Sequence, residues 1–327
     1  MKRIPIRTVL LALGAAALMP ATALAQSSVN IGGMVDVGIY RDGNETWNVG
    51  TIQRSYLTFS GTEDLGSGLA AFFNLTTRFD MDTGTLEGNP ASGKPFFHGE
   101  STVGLKGAFG SVKAGRALDA MWANDWHFDP WYNFNRVASP AWDLWHYNFP
   151  SDPQANSGRA EYGRLNNGIF YDSPVVGGFS LHVSGSPEKR PGDSQRPLGG
   201  AIKYAAGPIT AMVAREKNSA GASDTFVGLK GKIDSLALMG AWDLSKSPGA
   251  ASKAKAITLG AQYFIGPWTL NAGWGQVDVD GVKAQKTTAA GAVYALSKRT
   301  SVYADVARKS YPGDRVNLYG LGVAHTF

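Results

Sequence analysis

The sequence predicts an all-β protein: an antiparallel barrel of sixteen strands that crosses a membrane. Three observations lead there. Strand-length segments alternate apolar and polar residues, seven tight turns are spaced for pairs of strands, and the last strand stops on an aromatic residue. Composition agrees, with 41 glycines and no cysteine. Large exported proteins often use disulfides, so an exported chain without any must be held in another way, and a closed sheet is one.

At the N-terminus, Lys2, Arg3 and Arg7 precede a short apolar run at 9–17, Pro20 breaks it, and Ala23-Leu24-Ala25 offers small residues before Gln26. This pattern predicts a signal peptide over residues 1–25, cleaved before Gln26, with the barrel formed by residues 26–327. The apolar run is shorter than the ~20 residues a spanning helix needs, and no later stretch reaches that length. Without the three leader charges the net charge falls from +5 to +2. With no basic run elsewhere, nucleic acid is not expected as a partner. Absence of cysteine excludes thiolate metal sites and thiol nucleophiles.

Turns are read at EDLG (63–66), AFG (108–110), VGG (176–178), GP (207–208), IDS (233–235), GP (266–267) and SKR (297–299). From 177 onward they recur every 27 to 32 residues, enough for two strands of about 10 residues and a looser loop. Seven short turns imply sixteen strands if the first and last close on each other, and an even count is what a single-chain bacterial barrel requires.

The strands alternate. Over 257–265, Ile257, Leu259, Ala261, Tyr263 and Ile265 share one face, while Thr258, Gly260 and Gln262 share the other and Phe264 breaks the pattern. Over 69–79, Leu69, Phe73, Leu75 and Phe79 oppose Asn74, Thr76 and Arg78. A soluble sandwich also alternates. A thin outer apolar band around a polar lumen better suits the mean hydropathy of −0.15. In the final strand Tyr319, Leu321, Val323 and Phe327 fall on one face.

In order along the chain, SVNIGGMVDVGI (28–39), GTEDLGSGL (61–69), VGL (103–105), GSVKAGR (110–116), NGIFYDSP (167–174) and the closing HTF (325–327) resemble the trimeric general porins of β-proteobacteria, the Comamonas, Burkholderia and Neisseria type. The resemblance covers essentially all of residues 26–327. It implies an outer-membrane homotrimer of sixteen-stranded barrels, each with a long third loop folded into the lumen. It implies contact with outer-membrane lipid and lipopolysaccharide, and an assembly machinery that reads the C-terminal strand with Phe327 as its signal. Small hydrophilic solutes and ions would diffuse through, without a cofactor.

The connector from near Arg116 to near residue 161 is the longest in the chain, about 40 residues, and long connectors of this kind are usually functional. Ten of the 28 residues at 122–149 are Phe, Trp or Tyr, against 11% overall, and five of the nine tryptophans lie there. Trp122, Trp126, Trp131, Trp142 and Trp145 fit two uses: stacking on a passing solute, or packing the loop to the barrel wall. The residues leave both open.

A pore needs fixed charge at its narrowest point. Alternation turns Arg54 inward against Leu57 and Phe59, and Arg78 inward against Phe73 and Leu75. Arg164 shares a parity with Asn166, Gly168 and Phe170. Arg116 stands where the resembled family has an arginine at the root of the third loop, although alternation from Val112 and Ala114 would turn it outward unless a bulge intervenes. The loop offers Asp119, Asp125, Asp129 and Asp143. A basic wall facing an acidic loop makes a transverse field, and the expected preference is for anions. The sequence departs from the family at Tyr56 and Phe170, where basic residues are common, so the basic ladder is shifted or thinned.

Other chemistries find little support. The five histidines include an isolated HGE at 98–100 without the cysteine pair of a zinc deaminase. No H-E-x-x-H, G-x-S-x-G or calcium loop appears. No catalytic, cofactor or metal residues are predicted. An outer-membrane hydrolase or an adhesin built on a barrel is the competing class.

Overall fold

Antiparallel strands close on themselves in a computed structural model that describes residues 28–43, 46–87, 94–149 and 163–327. The expected leader, residues 1–25, lies outside the described residues. The strands are β1 (Ser28–Arg41), β2 (Trp47–Gly50), β3 (Tyr56–Gly66), β4 (Leu69–Arg78), β5 (Glu100–Gly107), β6 (Gly110–Leu118), β7 (Arg164–Asp172), β8 (Phe179–Gly185) and β9 (Leu198–Ala206). They continue with β10 (Ile209–Lys217), β11 (Ser223–Ile233), β12 (Leu236–Lys246), β13 (Lys253–Ile265), β14 (Trp268–Val279), β15 (Val282–Ala295), β16 (Thr300–Tyr311) and β17 (Asp314–Thr326).

Seventeen segments make sixteen wall positions because β2 and β3 are two halves of one strand. Both lie against β1, β2 from Gly38↔Gly50 to Arg41↔Trp47 and β3 from Ser28↔Thr62 to Met34↔Tyr56. The other flank of β1 pairs with β17, from Met34↔Thr326 to Arg41↔Tyr319, which closes the ring. Phe327 adds a reciprocal backbone pair with Gly33, donating to its carbonyl at 3.1 Å and accepting from its N–H at 3.2 Å. Closure joins the first and last wall strands, the condition for a sheet in lipid.

Six of the seven turns read from the sequence fall at junctions of paired strands, from β5–β6 to β15–β16, while 63–66 forms the end of β3 and the chain turns just after it, at 67–68, into β4. Gly207 and Gly266 take φ of 56° and 55°, left-handed values that a side chain resists, so a two-residue connection is open to them.

Alternation holds along the walls. On β13, Ile257, Leu259, Tyr263 and Ile265 are exposed while Thr258 and Gln262 are buried, and Phe264 sits under the Lys232 ammonium at 5.1 Å. On β17, Tyr319, Leu321 and Val323 are exposed while Leu318 and Ala324 are buried. The exposed face is therefore the aliphatic one, as a barrel surrounded by hydrocarbon demands. Aromatic pairs flank the short turns, Phe179 with Tyr204 at 4.8 Å and Trp268 with Tyr294 at 4.7 Å.

The segment following β6 carries a 3₁₀ turn at Asp125–Phe128 and one helical turn, α1 (Ala141–Leu144). The sequence had shown no periodicity there because each turn is only four residues long. Side chains build them locally. Asp119 accepts from the Trp122 N–H at 2.9 Å, and Asn135 accepts from the N–H groups of Val137 and Ala138 at 2.9 Å each, local bonds that Asp and Asn make readily.

The segment packs against the strand face opposite the exposed aliphatics, and glycines make room for it. A Cβ at Gly228 of β11 would lie 2.5 Å from the Phe128 ring, and one at Gly275 of β14 would lie 2.5 Å from Leu144. At Gly273 it would lie 2.8 Å from Trp131, and at Gly260 it would strike Pro130. Phe128, Leu144, Trp145 and Phe226 form one buried cluster with Met121, and Trp131 and Val137 join Ile52 and Leu318 in another.

Candidate constriction site

Arg54 is positioned by a break in the sheet, not by strand alternation. Between β2 and β3, residues 51–55 leave the ladder, and Asp36 of β1 takes up their backbone. Its Oδ1 accepts from Ile52 and Gln53 at 2.9 and 2.8 Å. Ser55 Oγ donates to the Asp36 carbonyl at 3.1 Å and accepts from the Asp36 N–H at 3.0 Å. Tyr303 donates to Asp36 Oδ2 at 2.7 Å. The notch projects Arg54 over the Phe134 ring at 4.7 Å and the Trp142 ring at 5.6 Å, and its Nη2 donates to the Asn133 carbonyl at 3.4 Å.

Arg54 and Arg78 line one cavity of about 410 Å³, together with Lys94, Arg136, Asp80, Asp82 and Glu87. Its apolar lining includes Tyr40, Trp122, Trp142 and Trp145. Arg78 pairs with Glu87 at 2.9 Å. Burial pushes the Glu87 carboxyl up, but the adjacent Arg78 charge outweighs this and leaves it below the usual range. Arg136 donates to Tyr40 at 3.1 Å and lies 5.6 Å from that ring. The cavity lining thus holds four basic and three acidic side chains.

Arg116 and Arg164 stand beside this cavity without lining it. The register of β6 against β7 shifts between Gly115 and Ala117, and Gly115 takes φ 131°. Arg116 is buried there, donating to the His98 carbonyl at 2.9 Å and to Asn166 at 2.5 Å. Arg164 donates to the Gly99 carbonyl at 2.8 Å. At Phe170 the ring is buried beneath the Lys113 ammonium at 5.6 Å, and Lys113 pairs with Glu100.

The four loop acids do not line the cavity. Asp119, Asp125 and Asp129 are buried at the junction of segment and wall. Asp129 Oδ2 accepts from Trp131 N, Asn133 N and Ser139 Oγ at 2.9, 3.0 and 2.9 Å. Burial raises its pKa to about 6 despite these bonds. Asp119 is pushed up to about 7 by burial. Asp125 is raised by burial against the opposing pull of His146. Asp143 pairs with Lys309 of β16 and accepts from Gln285 at 3.3 Å.

His146 gathers a cluster of three carboxylates. Its Nε2 lies 2.8 Å from Asp125, and its Nδ1 lies 2.6 Å from Asp224 of β11 and 3.3 Å from Asp243 of β12. Burial disfavours the imidazolium, but Asp224, Asp243 and Asp125 overcome it, and the pKa stands well above 6.5. A charged His146 is thus a bolt between segment and wall. Met121 N–H adds a bond to Glu216 of β10 at 2.7 Å. His127 is driven the other way, down to about 4, by burial and by Lys203 and Lys230.

The tryptophans divide. Trp131 and Trp145 are buried and donate to the wall, to Asp305 at 2.8 Å and Thr258 at 3.1 Å. Trp126 stacks on His127 at 3.6 Å between centroids and lies outside the cavity lining. Trp122 stacks on His146 at 4.2 Å yet also lines the cavity, and Trp142 is half-buried at its edge. Sequence reasoning passed over Arg136, Lys94, Glu87, Asp80 and Asp82. Arg136 had a signal, being the one Lys or Arg within 122–149. The others had none, because a loop folding back on its own strand carries no periodicity.

The model of a family described as Gram-negative porin matches residues 12–314. The outer membrane porin protein 32 of Delftia acidovorans is 30% identical, over 92% of this chain and 89% of its own length. The major outer membrane protein P.IA of Neisseria meningitidis is 29% identical over 44% of this chain and 31% of its own. Among solved structures, an anion-selective porin from Comamonas acidovorans superposes with a TM-score of 0.78 at 24% identity, over 92% of this chain and all of that one. The trimer form of OmpT, an outer membrane protein of Vibrio cholerae, gives 0.66 at 11% identity, over 92% of this chain and 99% of that one.

Proposed function

Because the chain belongs to the Gram-negative porin family, and is therefore an outer-membrane channel and not an enzyme, we propose that it passes small hydrophilic solutes with a preference for anions. The observation that carries this reading is the cavity where Arg54, Arg78, Arg136 and Lys94 meet three carboxylates, one of them already neutralised by Arg78. The remaining positive excess sits between low-dielectric walls, where its field is strengthened. The name of the anion-selective relative from Comamonas supports the same sign.

In this reading the segment from Asp119 to Phe149 is folded into the lumen and sets the narrowest point. Its bonds to the strand face opposite the exposed aliphatics support that position. Arg54 and Arg78 form the inner basic wall, with Arg116 and Arg164 behind them. Asp143, tied to Lys309, is the loop acid nearest to solvent. The protein works as a homotrimer in contact with outer-membrane lipid and lipopolysaccharide. Residues 1–25 are removed on export, and Phe327 marks the last strand for the assembly machinery.

The test is single-channel current in a planar bilayer under a salt gradient. Conductance in three equal steps with an anion-selective reversal potential is expected. A cation-selective reversal potential would overturn the assignment of sign.

A further inference from the structure

The cavity is more aromatic than an ion filter requires. The Arg54 guanidinium carbon lies 4.7 Å from the Phe134 ring centre and 5.6 Å from that of Trp142, and the Arg136 guanidinium carbon lies 5.6 Å from that of Tyr40. A guanidinium held against a ring keeps its N–H donors for a carboxylate, the group its planar fork suits best. Unpartnered donors also stand just beneath the lining. Arg78 is only 4% exposed, and its Nη2 has no hydrogen-bond partner; Arg54 Nε and Arg136 Nε have none either. Trp142 differs from Trp131 and Trp145, whose indole nitrogens are spent on the wall. It is half-buried and lines the cavity.

Resting on the channel reading above, we propose that this cavity holds a subsite for planar aromatic carboxylates, the ring seated on Trp142 and the carboxylate on the arginine edges. A chloride or an aliphatic acid meets the same positive charge but has no face to offer the indole. An aromatic acid satisfies both, since an aromatic pair adds attraction beyond area burial and an arginine–carboxylate pair adds a charge-assisted hydrogen bond. No covalent chemistry is involved: the solute binds, lingers and leaves.

The experiment compares two acids of equal charge and similar size on the full-length protein in a planar bilayer. Benzoate and cyclohexanecarboxylate are titrated against chloride current. Half-block by benzoate is expected at about two- to tenfold lower concentration, the range of one aromatic pair. The difference should vanish in Trp142→Leu, which keeps an apolar side chain but no ring. Equal block by the two acids in the wild-type protein would overturn the subsite, while an anion-selective reversal potential in the same membrane would leave the channel reading standing. A benzoate preference that survives in Trp142→Leu would also overturn it. Cation selectivity with no block by either acid would bring down the subsite and the anion reading together.

Discussion

The imidazole of His146 lies 2.6 Å from the carboxylate of Asp224, two buried groups joined across 78 residues of sequence. With Asp125 and Asp243 they tie the long segment to β11 and β12. Removing one partner of such a cluster strands the others without compensation. His146→Ala should cost about 3–5 kcal/mol, as loss of a buried ionic partner does, and should raise open-channel current noise. Thermal unfolding in detergent together with bilayer recording checks both. An unchanged melting temperature with quiet channels would show that the segment is held elsewhere.

The same junction sets a pH dependence with a definite sign. Asp129 and Asp119 bind their protons more tightly when folded, at about 6 and about 7 against an unfolded 3.8, and His146 does so well above 6.5. Stability from each is complete below its unfolded pKa and is lost as pH rises through its folded value. For Asp129 that window ends near 6, for Asp119 near 7, and for His146 higher still. Segment fluctuation should therefore grow from about pH 4 to pH 7 as the two aspartates ionise, and further above pH 7 as His146 loses its proton. Channel noise recorded across that range tests it, and noise that grows only toward acid would contradict the assignment.

Selectivity should move in opposite directions with two substitutions that add no bulk. Arg54→Gln removes a cavity cation and should shift the reversal potential toward cation preference. Glu87→Gln leaves Arg78 uncompensated and should shift it toward stronger anion preference. The two shifts are read in one salt gradient, and a shared sign would rule out a common field.

The glycine seats predict a steric effect without a change of charge. In Gly228→Ala the new methyl meets the Phe128 ring, and in Gly275→Ala it meets Leu144. Each should cost about 1–3 kcal/mol through overpacking and reduce single-channel conductance, because the segment must move away from the wall. Conductance equal to wild type in both would mean that the wall yields instead.

Much of the barrel was legible because it depends on local rules. Period-two alternation and turn chemistry were sufficient to locate six strand junctions, to come within a few residues of a seventh, and to separate the exposed and buried faces of β13 and β17. Arg54 shows where those rules stop. Parity was applied to it as to a strand residue, but its position follows from the notch at 51–55, and the notch exists because Asp36 is buried on the neighbouring strand. The loop acids show a second limit. An aspartate bonded to its own segment and one facing a passage look alike in sequence, and burial separates them only after contacts such as Met121 with Glu216, 95 residues apart, are formed. The five tryptophans diverge for the same reason: Trp131 has Asp305 within reach, and Trp142 has a cavity.

The row of glycines beneath the long segment carries one more implication. If that segment sets the bore, then the bore depends on how deeply Phe128, Pro130, Trp131 and Leu144 sink into the wall, and that depth is fixed by side chains the wall omits. A lineage could widen or throttle its intake by single methyl-sized replacements at Gly228, Gly260, Gly273 or Gly275 while every arginine kept its place. Calibre and charge preference would then be free to drift apart, so two relatives with the same ionic lining could admit solutes of quite different girth.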